Sequence, residues 1–248
     1  MPEHAKRARV LDCDGVVIQK LNKTLLEQFL IDYYKKTSGI KKIDLGLRAF
    51  LIRFINASMQ GVIKVFFSSD YYITGETNLL RICDLFFIRK AKIPATSIKQ
   101  FASNYANVIK PSTREAINAC EDDIYIVTAE PKQLVWAVLE TNNVSKKIKE
   151  VYGTAFEIKE NKIVGFEKFQ LYAGVRGKML GLEKILSKNY DEVYAIGDSV
   201  ADVGLFSSFS SNNIIPFTFY DSPKQVQDFV KEKGGQIVNS LEDFFKYS

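Results

Sequence analysis

Short apolar runs that alternate with helical segments are the feature that most constrains the fold of this 248-residue chain. The runs are Val10-Leu11, Ile124 to Val127, Val193 to Ile196 and Ile214-Ile215. Runs of this length, separated by helical patterns, are typical of buried strands in a parallel sheet with helices on both faces. The sequence therefore predicts an α/β core.

A second pattern occupies residues from about 21 to 107, where apolar side chains recur at helical spacing. It is clearest over 47–55 and 79–87, with weaker helical patterns over 21–33 and 98–105. We interpret this segment as an all-helical insert of about four helices after the first strand. The predicted division is residues 1–16 and 108–248 for the α/β core, and 17–107 for the helical insert.

Local signals predict where several core elements begin. Ser112 with Glu115 three residues later is typical of a capping box at a helix start, and Pro131 suits a first helical position. Residues 151–166 are predicted to form two extended pieces joined by a turn at Glu160-Asn161-Lys162.

Composition excludes several classes of protein. The net charge of +5 comes from 34 basic and 29 acidic residues spread along the chain, which does not indicate nucleic acid as a partner. Three cysteines at long spacings favour a reducing compartment, and the most apolar stretch, 47–67, is interrupted by three cations. We therefore expect a cytoplasmic protein without a membrane span. His4 is the sole histidine, which argues against histidine-based catalysis.

Acidic residues follow two of the predicted strands. Asp12 and Asp14, with Gly15 behind them, come after the first strand, and Gly197-Asp198 with Asp202 comes after Val193 to Ile196. The carboxyl ends of parallel strands form the usual ligand crevice of such a sheet. Each group alone is equally typical of a turn or a capped helix, but both fall at the same edge.

A hydroxyl and a lysine complete the set. Thr128 follows the second predicted strand, where it and the backbone N–H of Ala129 would lie at a helix N-terminus suited to an anion. Lys178 lies at the start of an amphipathic segment. A threonine cap and a surface lysine are the ordinary interpretations of these two residues, and it is their convergence at one sheet edge that favours a site.

In this order and spacing, the residues resemble the haloacid dehalogenase superfamily of phosphatases, and the resemblance covers most of residues 8–248. The position of the helical insert makes the chain similar to the phosphoserine-phosphatase-like branch. The resemblance implies a Rossmann-like core with a helical cap. The chain departs from the pattern at Val16, where many relatives have threonine, and at Arg9, which lies inside the first strand.

The resemblance also implies roles for the site residues. Asp12 would be the nucleophile and Asp14 the general acid and base. Asp198 would bind Mg²⁺ together with Asp12 and the backbone carbonyl of Asp14. The remaining members would bind phosphate or support the site: Thr128, Ala129 and Lys178 for phosphate, and Gly15, Gly197 and Asp202 as support.

Phosphate-ester chemistry needs this set of groups. The dianion repels nucleophiles, so a metal ion, an ammonium and N–H groups must first neutralise charge. A carboxylate can then attack, and a second carboxyl can protonate the leaving group. The expected reaction is hydrolysis of a small organic phosphate ester through an aspartyl-phosphate intermediate.

Two alternatives remain open at this point. A phosphomutase of the same superfamily keeps the same residues, and a catalytically weak regulatory protein could use the site to sense phosphate. The sequence does not indicate the oligomeric state or the substrate.

The residues after the first motif argue against one substrate. In the resembled branch an acid there holds the amino group of phosphoserine, whereas Val16 to Lys23 contains Gln19 and Lys20 and no acid. Aromatic side chains of the insert, Phe66, Phe67, Tyr71 and Tyr72, could line a pocket. We therefore predict an apolar, aromatic or anionic leaving group rather than phosphoserine.

Overall fold

A six-stranded parallel sheet runs through the computed structural model, which describes residues 5–21, 23–39, 88–89, 91–167, 174–207 and 213–247, together with Lys42. Its strands lie in the order β4-β3-β1-β7-β8-β9. Their bounds are β1 Arg7–Leu11, β3 Asp123–Pro131, β4 Ile148–Thr154, β7 Glu192–Ile196, β8 Ile214–Phe219 and β9 Gln236–Val238. The predicted α/β core is confirmed, and β1 occupies its centre between β3 and β7.

Helices cover both faces of this sheet, which explains the apolar runs. They are α1 Leu25–Lys36, α2 Ser97–Ala102, α3 Pro111–Ala119, α4 Lys132–Thr141, α5 Gly174–Leu186, α6 Lys224–Glu232 and α7 Leu241–Lys246. Ala8 and Val10 of β1 pack with α5 and α6 on one face, whereas Leu11 packs with α1, α4 and α7 on the other. A strand that is buried on both faces cannot show a polar alternation.

Arg9 lies inside β1, yet it is 3% exposed and fully engaged. Its Nε pairs with Asp122 at 2.7 Å, and its other nitrogens donate to the carbonyls of Phe244, at 2.6 Å, and Tyr247. The guanidinium also lies over the ring of Tyr194. These contacts satisfy the buried charge and fasten α7 to the central strand.

A small antiparallel sheet lies beside the core, in the order β2-β6-β5, with β2 Ile93–Pro94, β5 Phe156–Lys159 and β6 Lys162–Phe166. Glu160 and Asn161 have positive φ angles of 48° and 59°, as a two-residue hairpin turn requires. The turn prediction is thus confirmed. Only part of the predicted extended region belongs to this hairpin, because 151–154 continue β4 in the main sheet.

The predicted insert is described only at its two ends. There it contains α1, α2, a 3₁₀ turn at Ser103–Tyr105 and the short strand β2, so its described part is not wholly helical. The helices predicted over 47–55 and 79–87, and the aromatic residues between them, lie outside the described residues. The boundaries at 16/17 and 107/108 stay predictions.

Two predicted helix starts are wrong by a few residues. Helix α3 begins at Pro111 with Lys110 as its N-cap, so Ser112 lies inside the helix and forms no capping box. Strand β3 continues through Pro131, which pairs with Thr154 after a register shift, and α4 starts only at Lys132. Pairing with β4 therefore outweighs the local helix signal. Among the described helices, none has the length and apolarity needed to cross a membrane.

Candidate active site

The acidic pairs after β1 and β7 meet at the carboxyl edge of the sheet, as expected for neighbouring parallel strands. The backbone N–H of Asp12 still donates to the carbonyl of Ile196, at 3.0 Å, so the two loops leave the sheet side by side. Carboxylate oxygens of Asp12, Asp198 and Asp202 all lie within 4.8 Å of one another. The structure therefore brings together side chains that are up to 190 positions apart in the sequence.

Lys178 reaches this group from the second turn of α5 and is 3% exposed. Its ammonium binds Asp12 Oδ1, lies 2.8 Å from Asp202 Oδ1 and donates to the Val127 carbonyl at 3.0 Å. The ammonium therefore donates hydrogen bonds to Asp12 and to the Val127 carbonyl, and its contact with Asp202 is an ion pair. Lys178 is thus a buried cation in contact with two carboxylates, rather than a surface lysine.

Close packing of α5 allows this reach. A Cβ added to Gly181 would lie 2.4 Å from the Val127 side chain, and one added to Gly204 would lie 2.0 Å from the Val175 carbonyl. Each glycine lets a neighbouring element approach more closely than a side chain would permit. The helix can therefore carry Lys178 over the end of β3.

Asp202 is held by the turn that follows β7. Its Oδ2 accepts bonds from the backbone N–H of Ser199, at 2.9 Å, and of Asp198, at 3.1 Å, and from the Ser199 hydroxyl, at 2.7 Å. This capping box begins the 3₁₀ helix Val200–Leu205. A Cβ at Gly197 would lie 2.3 Å from that of Asp202, so a glycine is needed there. Asp202 therefore caps this 3₁₀ helix and is also, with Asp12, one of the two carboxylates that pair with Lys178.

Asp14 lies on a tight turn at the end of β1. The backbone N–H of Val17 donates to the Cys13 carbonyl at 3.0 Å, and the N–H of Leu21 approaches Asp14 Oδ1 at 3.4 Å. Gly15 has a φ of 81°, and a Cβ on it would lie 2.4 Å from Asp198 Oδ2. The turn therefore needs glycine both for its backbone conformation and for its approach to Asp198.

Thr128 is buried within β3, two residues before Glu130, and not at the helix start that the sequence predicted. Its hydroxyl accepts a bond from the backbone N–H of Glu130 at 3.1 Å. Ala129 lies in the same irregular stretch of β3, where the register against β4 shifts. Thr128 borders the site through Val127, whose carbonyl binds Lys178.

The site has an excess of negative charge. Burial, with the Asp202 carboxylate adding to it and Lys178 opposing, raises the pKa of Asp12 to about 8. Burial also raises the pKa of Asp14 and of Asp198. For Lys178, burial alone would lower the pKa, but Asp12 and Asp202 outweigh it and raise the pKa above its ordinary value. A cation bound among these carboxyl groups would lower their raised pKa values and so stabilise their ionised forms at neutral pH.

The donor set fits Mg²⁺, because hard cations prefer carboxylate oxygens. Asp202 Oδ2 accepts three hydrogen bonds in the turn after β7, and its Oδ1 is 2.8 Å from the Lys178 ammonium, in an ion pair without a hydrogen bond. Asp12 and Asp198 are therefore the better candidates for metal ligands among the three. The Asp14 side chain lies outside the close group, which is compatible with metal binding through its backbone carbonyl, as the family resemblance implies.

Two residues near the acidic group were not among the predicted site residues. The Lys20 ammonium lies 3.2 Å from Asp198 Oδ2, and the buried carboxylate of Glu130 accepts a bond from the Leu26 N–H at 2.9 Å. The lysine was visible as a cation after the first motif. No sequence signal indicated that Glu130 would meet the first turn of α1.

The fold and these side chains define an α/β enzyme core with an acidic, lysine-containing site at one sheet edge. The model of the haloacid dehalogenase-like hydrolase family matches residues 17–207. The chain belongs to this family, and the resemblance seen in its motifs is confirmed. The matched range begins at residue 17 and therefore does not include Asp12 and Asp14. Their location directly after β1 comes from the structure.

Solved structures share the fold at low sequence identity. A protein of unknown function from Bordetella pertussis Tohama I has a TM-score of 0.61 and 12% identity, covering 95% of this chain and 99% of that one. Cytosolic 5′-nucleotidase IIIB bound to cytidine has a TM-score of 0.61 and 15% identity, covering 97% and 85%. A substrate-bound phosphoserine phosphatase has a TM-score of 0.58 and 14% identity, covering 99% of both chains. No curated protein sequence matches the chain.

Proposed function

We propose that this chain is a Mg²⁺-dependent hydrolase of small phosphate monoesters that works through phosphorylation of Asp12. The observation that carries the proposal is the buried group in which Lys178 binds both Asp12 and Asp202. A carboxylate, a fixed ammonium and further carboxylates at a sheet edge are what nucleophilic phosphoryl transfer requires. Membership of a hydrolase family supports it.

Asp12 serves as the nucleophile in this scheme. Its carboxylate lies at the end of the central strand, and Lys178 on Oδ1 fixes its orientation. One carboxylate oxygen attacks phosphorus, the bond from phosphorus to the leaving oxygen breaks, and an acyl phosphate forms. Water then attacks the same phosphorus, and the bond to Asp12 breaks to release inorganic phosphate. Splitting the hydrolysis into two transfers in this way lowers each barrier.

In this scheme Asp14 transfers a proton in each of the two steps, the phosphorylation of Asp12 and the hydrolysis of the acyl phosphate. It donates one to the departing alkoxide, and later accepts one from the attacking water. Burial, with the Asp198 charge adding to it, raises the pKa of Asp14 even though the Leu21 N–H opposes the shift. A carboxyl with a raised pKa holds its proton closer to neutral pH, which suits a general acid.

Lys178 holds the phosphoryl oxygens as their charge redistributes, and Thr128 with the Ala129 N–H is proposed to hold a further oxygen. Asp202 and the Val127 carbonyl keep the Lys178 ammonium beside Asp12, and a phosphoryl oxygen there would take over the proton that Asp12 Oδ1 accepts. Asp12 and Asp198, with the Asp14 carbonyl, would hold Mg²⁺. When bound, this ion supplies positive charge against the phosphate dianion.

The test is turnover of a panel of phosphomonoesters, with and without Mg²⁺, by the wild type and two matched variants. Asp12→Asn replaces the nucleophile by a nearly isosteric amide, and Asp228→Asn makes the same change at an exposed position of α6. We expect Asp12→Asn to abolish phosphate release while the control keeps it. Activity above a few per cent in a folded Asp12→Asn protein would refute the assignment. Transfer of phosphate to a second alcohol without release would indicate a mutase.

A further inference from the structure

Lys20 lies on the solvent-exposed side of the acidic group, whereas Lys178 is buried. Its ammonium lies 3.2 Å from Asp198 Oδ2, with its side chain 75% exposed against 12% for Asp198. Within the described part of the chain, Lys178 and Lys20 are the two lysines that form ion pairs with Asp12, Asp198 or Asp202. One is enclosed by the protein, and the other faces solvent.

The two lysines differ in how easily they can change partner. Lys178 is enclosed by buried acceptors, and breaking a buried ion pair by removing one partner is strongly destabilising. Exposed ion pairs contribute little, and in the pair of Lys20 with Asp198 the lysine is the exposed partner. Lys20 can therefore turn from Asp198 toward another anion at little cost.

Lys20 also borders open space beside the loop that carries Asp14. The cavity has a volume of about 460 Å³, which is within the range of small-molecule sites, roughly 300–1,000 Å³. Gly15 and Lys20 contribute to its wall from this loop, and Lys110 and Asp221 from outside it. The lining does not include Asp12, Asp14 or Asp198, so the link between Lys20 and the acidic group is its contact with Asp198.

We propose that Lys20 selects substrates whose leaving group carries an anion, such as a carboxylate or a second phosphate, by pairing with that anion. This inference rests on the proposed phosphatase function and specifies its substrate class. The ammonium on the exposed rim would repel a cationic leaving group, and the exposed geometry lets it meet an anion at variable distance. Lys20 is thus a specificity-determining residue, distinct from the groups that act on phosphorus.

The test uses matched esters that differ only in charge. We would compare kcat/KM for 4-carboxyphenyl phosphate with that for 4-carbamoylphenyl phosphate, and for the corresponding pair of 3-hydroxypropionate and 3-hydroxypropionamide esters. The proteins are wild type, Lys20→Gln, Lys20→Arg and Lys23→Gln. Lys23 lies in the same loop but pairs with Glu27, so its loss removes an equal charge outside the site.

We expect the carboxylate-to-carboxamide ratio to fall about ten-fold in Lys20→Gln, as for loss of a hydrogen bond to a charged group. Lys20→Arg and Lys23→Gln should largely keep the ratio, and added salt should reduce it in the wild type. An unchanged ratio in Lys20→Gln would overturn the inference, and so would equal losses on both members of each pair. If turnover still depended on Asp12 in either case, the proposed hydrolase function would stand and only the role of Lys20 would be refuted. Failure of wild type to hydrolyse any member would refute both.

Discussion

The carboxylate of Glu130 accepts a hydrogen bond from the backbone N–H of Leu26 at 2.9 Å, in the first turn of α1. Through its own backbone N–H, Glu130 also binds the hydroxyl of Thr128, at 3.1 Å. One buried residue therefore joins the proposed phosphate-binding stretch of β3 to α1, the first helix of the predicted insert. A negative charge is favourable at a helix N-terminus.

We expect Glu130→Ala to lower the free energy of unfolding by about 1–3 kcal/mol, because it leaves a buried N–H without its acceptor. Glu130→Gln should cost less, since the amide oxygen can still accept from Leu26. Urea unfolding of both variants measures the difference. Equal costs would show that the contact with Leu26 is not the source of stability.

Replacing Gly15 should damage the site more than the fold. Gly15→Ala adds a Cβ at a φ of 81° and within 2.4 Å of Asp198 Oδ2, whereas Gly234→Ala meets a φ of 72° with no atom within 4 Å. Both variants should lose about 1 kcal/mol of stability or somewhat more from backbone strain. Only Gly15→Ala should lose most phosphatase activity. Full activity in Gly15→Ala would show that its approach to Asp198 is unimportant.

The proposed proton-transfer role of Asp14 can be distinguished from a purely structural or metal-binding role. Asp14→Asn should reduce hydrolysis of alkyl phosphates by about 10²–10⁴-fold, because their leaving alkoxides need a proton. Hydrolysis of 4-nitrophenyl phosphate, whose leaving group is already stable, should fall much less. Steady-state kcat on the two esters gives the comparison. Similar losses on both would restrict Asp14 to a structural or metal-binding role.

Metal binding can be followed without turnover. Mg²⁺ should raise the melting temperature of the wild type, since a ligand that binds only the folded state stabilises it. The rise should be much smaller in Asp198→Asn and unchanged in Asp228→Asn, and Ca²⁺ should compete with Mg²⁺ for the site. The same rise in all three proteins would remove Asp198 from the proposed ligands.

Acid should weaken the junction between α3 and α7. Burial alone would raise the pKa of Glu242, but hydrogen bonds that include those of Ser112 and Thr113 outweigh it and lower the pKa to about 2. Because the folded pKa lies below the unfolded value, the stabilisation is complete above pH 4.5 and is lost as the pH falls toward 2. We expect about 1 kcal/mol, because partial exposure screens the interaction.

The measurement is urea unfolding of wild type and Glu242→Gln at pH 6 and pH 3. The stability difference between the two proteins should shrink at the lower pH. A constant difference would contradict the assignment of the shift to Glu242.

The parts of the fold that follow from local patterns could be predicted from the sequence. The strands β1, β3, β7 and β8 each contain a short apolar run, as expected where a strand is buried on both faces. The convergence of Asp12 with Asp198 then follows from parallel pairing. Element boundaries were less certain, as the continuation of β3 through Pro131 shows, because pairing with a distant strand decides where a strand ends.

Contacts that depend on distant partners could not be predicted. Arg9 looked out of place in β1, since its acceptors, Asp122 and two carbonyls near the end of α7, are brought to it only by the folded chain. The hydrogen bond from the Leu26 N–H to Glu130 likewise joins residues that are far apart in the sequence. Such polar contacts carry no periodic signal, because each depends on one pair of atoms rather than on a face.

The central place of β1 has a consequence for biosynthesis. Ala8 pairs with Asp123 on one side and with Val193 on the other, so the strand that bears Asp12 leaves the ribosome long before either neighbour. At about 5–20 residues per second, it waits on the order of 10 s for the first of them. An apolar strand exposed for that time is an aggregation hazard and a natural substrate for chaperones. The residue proposed to act first in catalysis is thus among the last to reach its working surroundings.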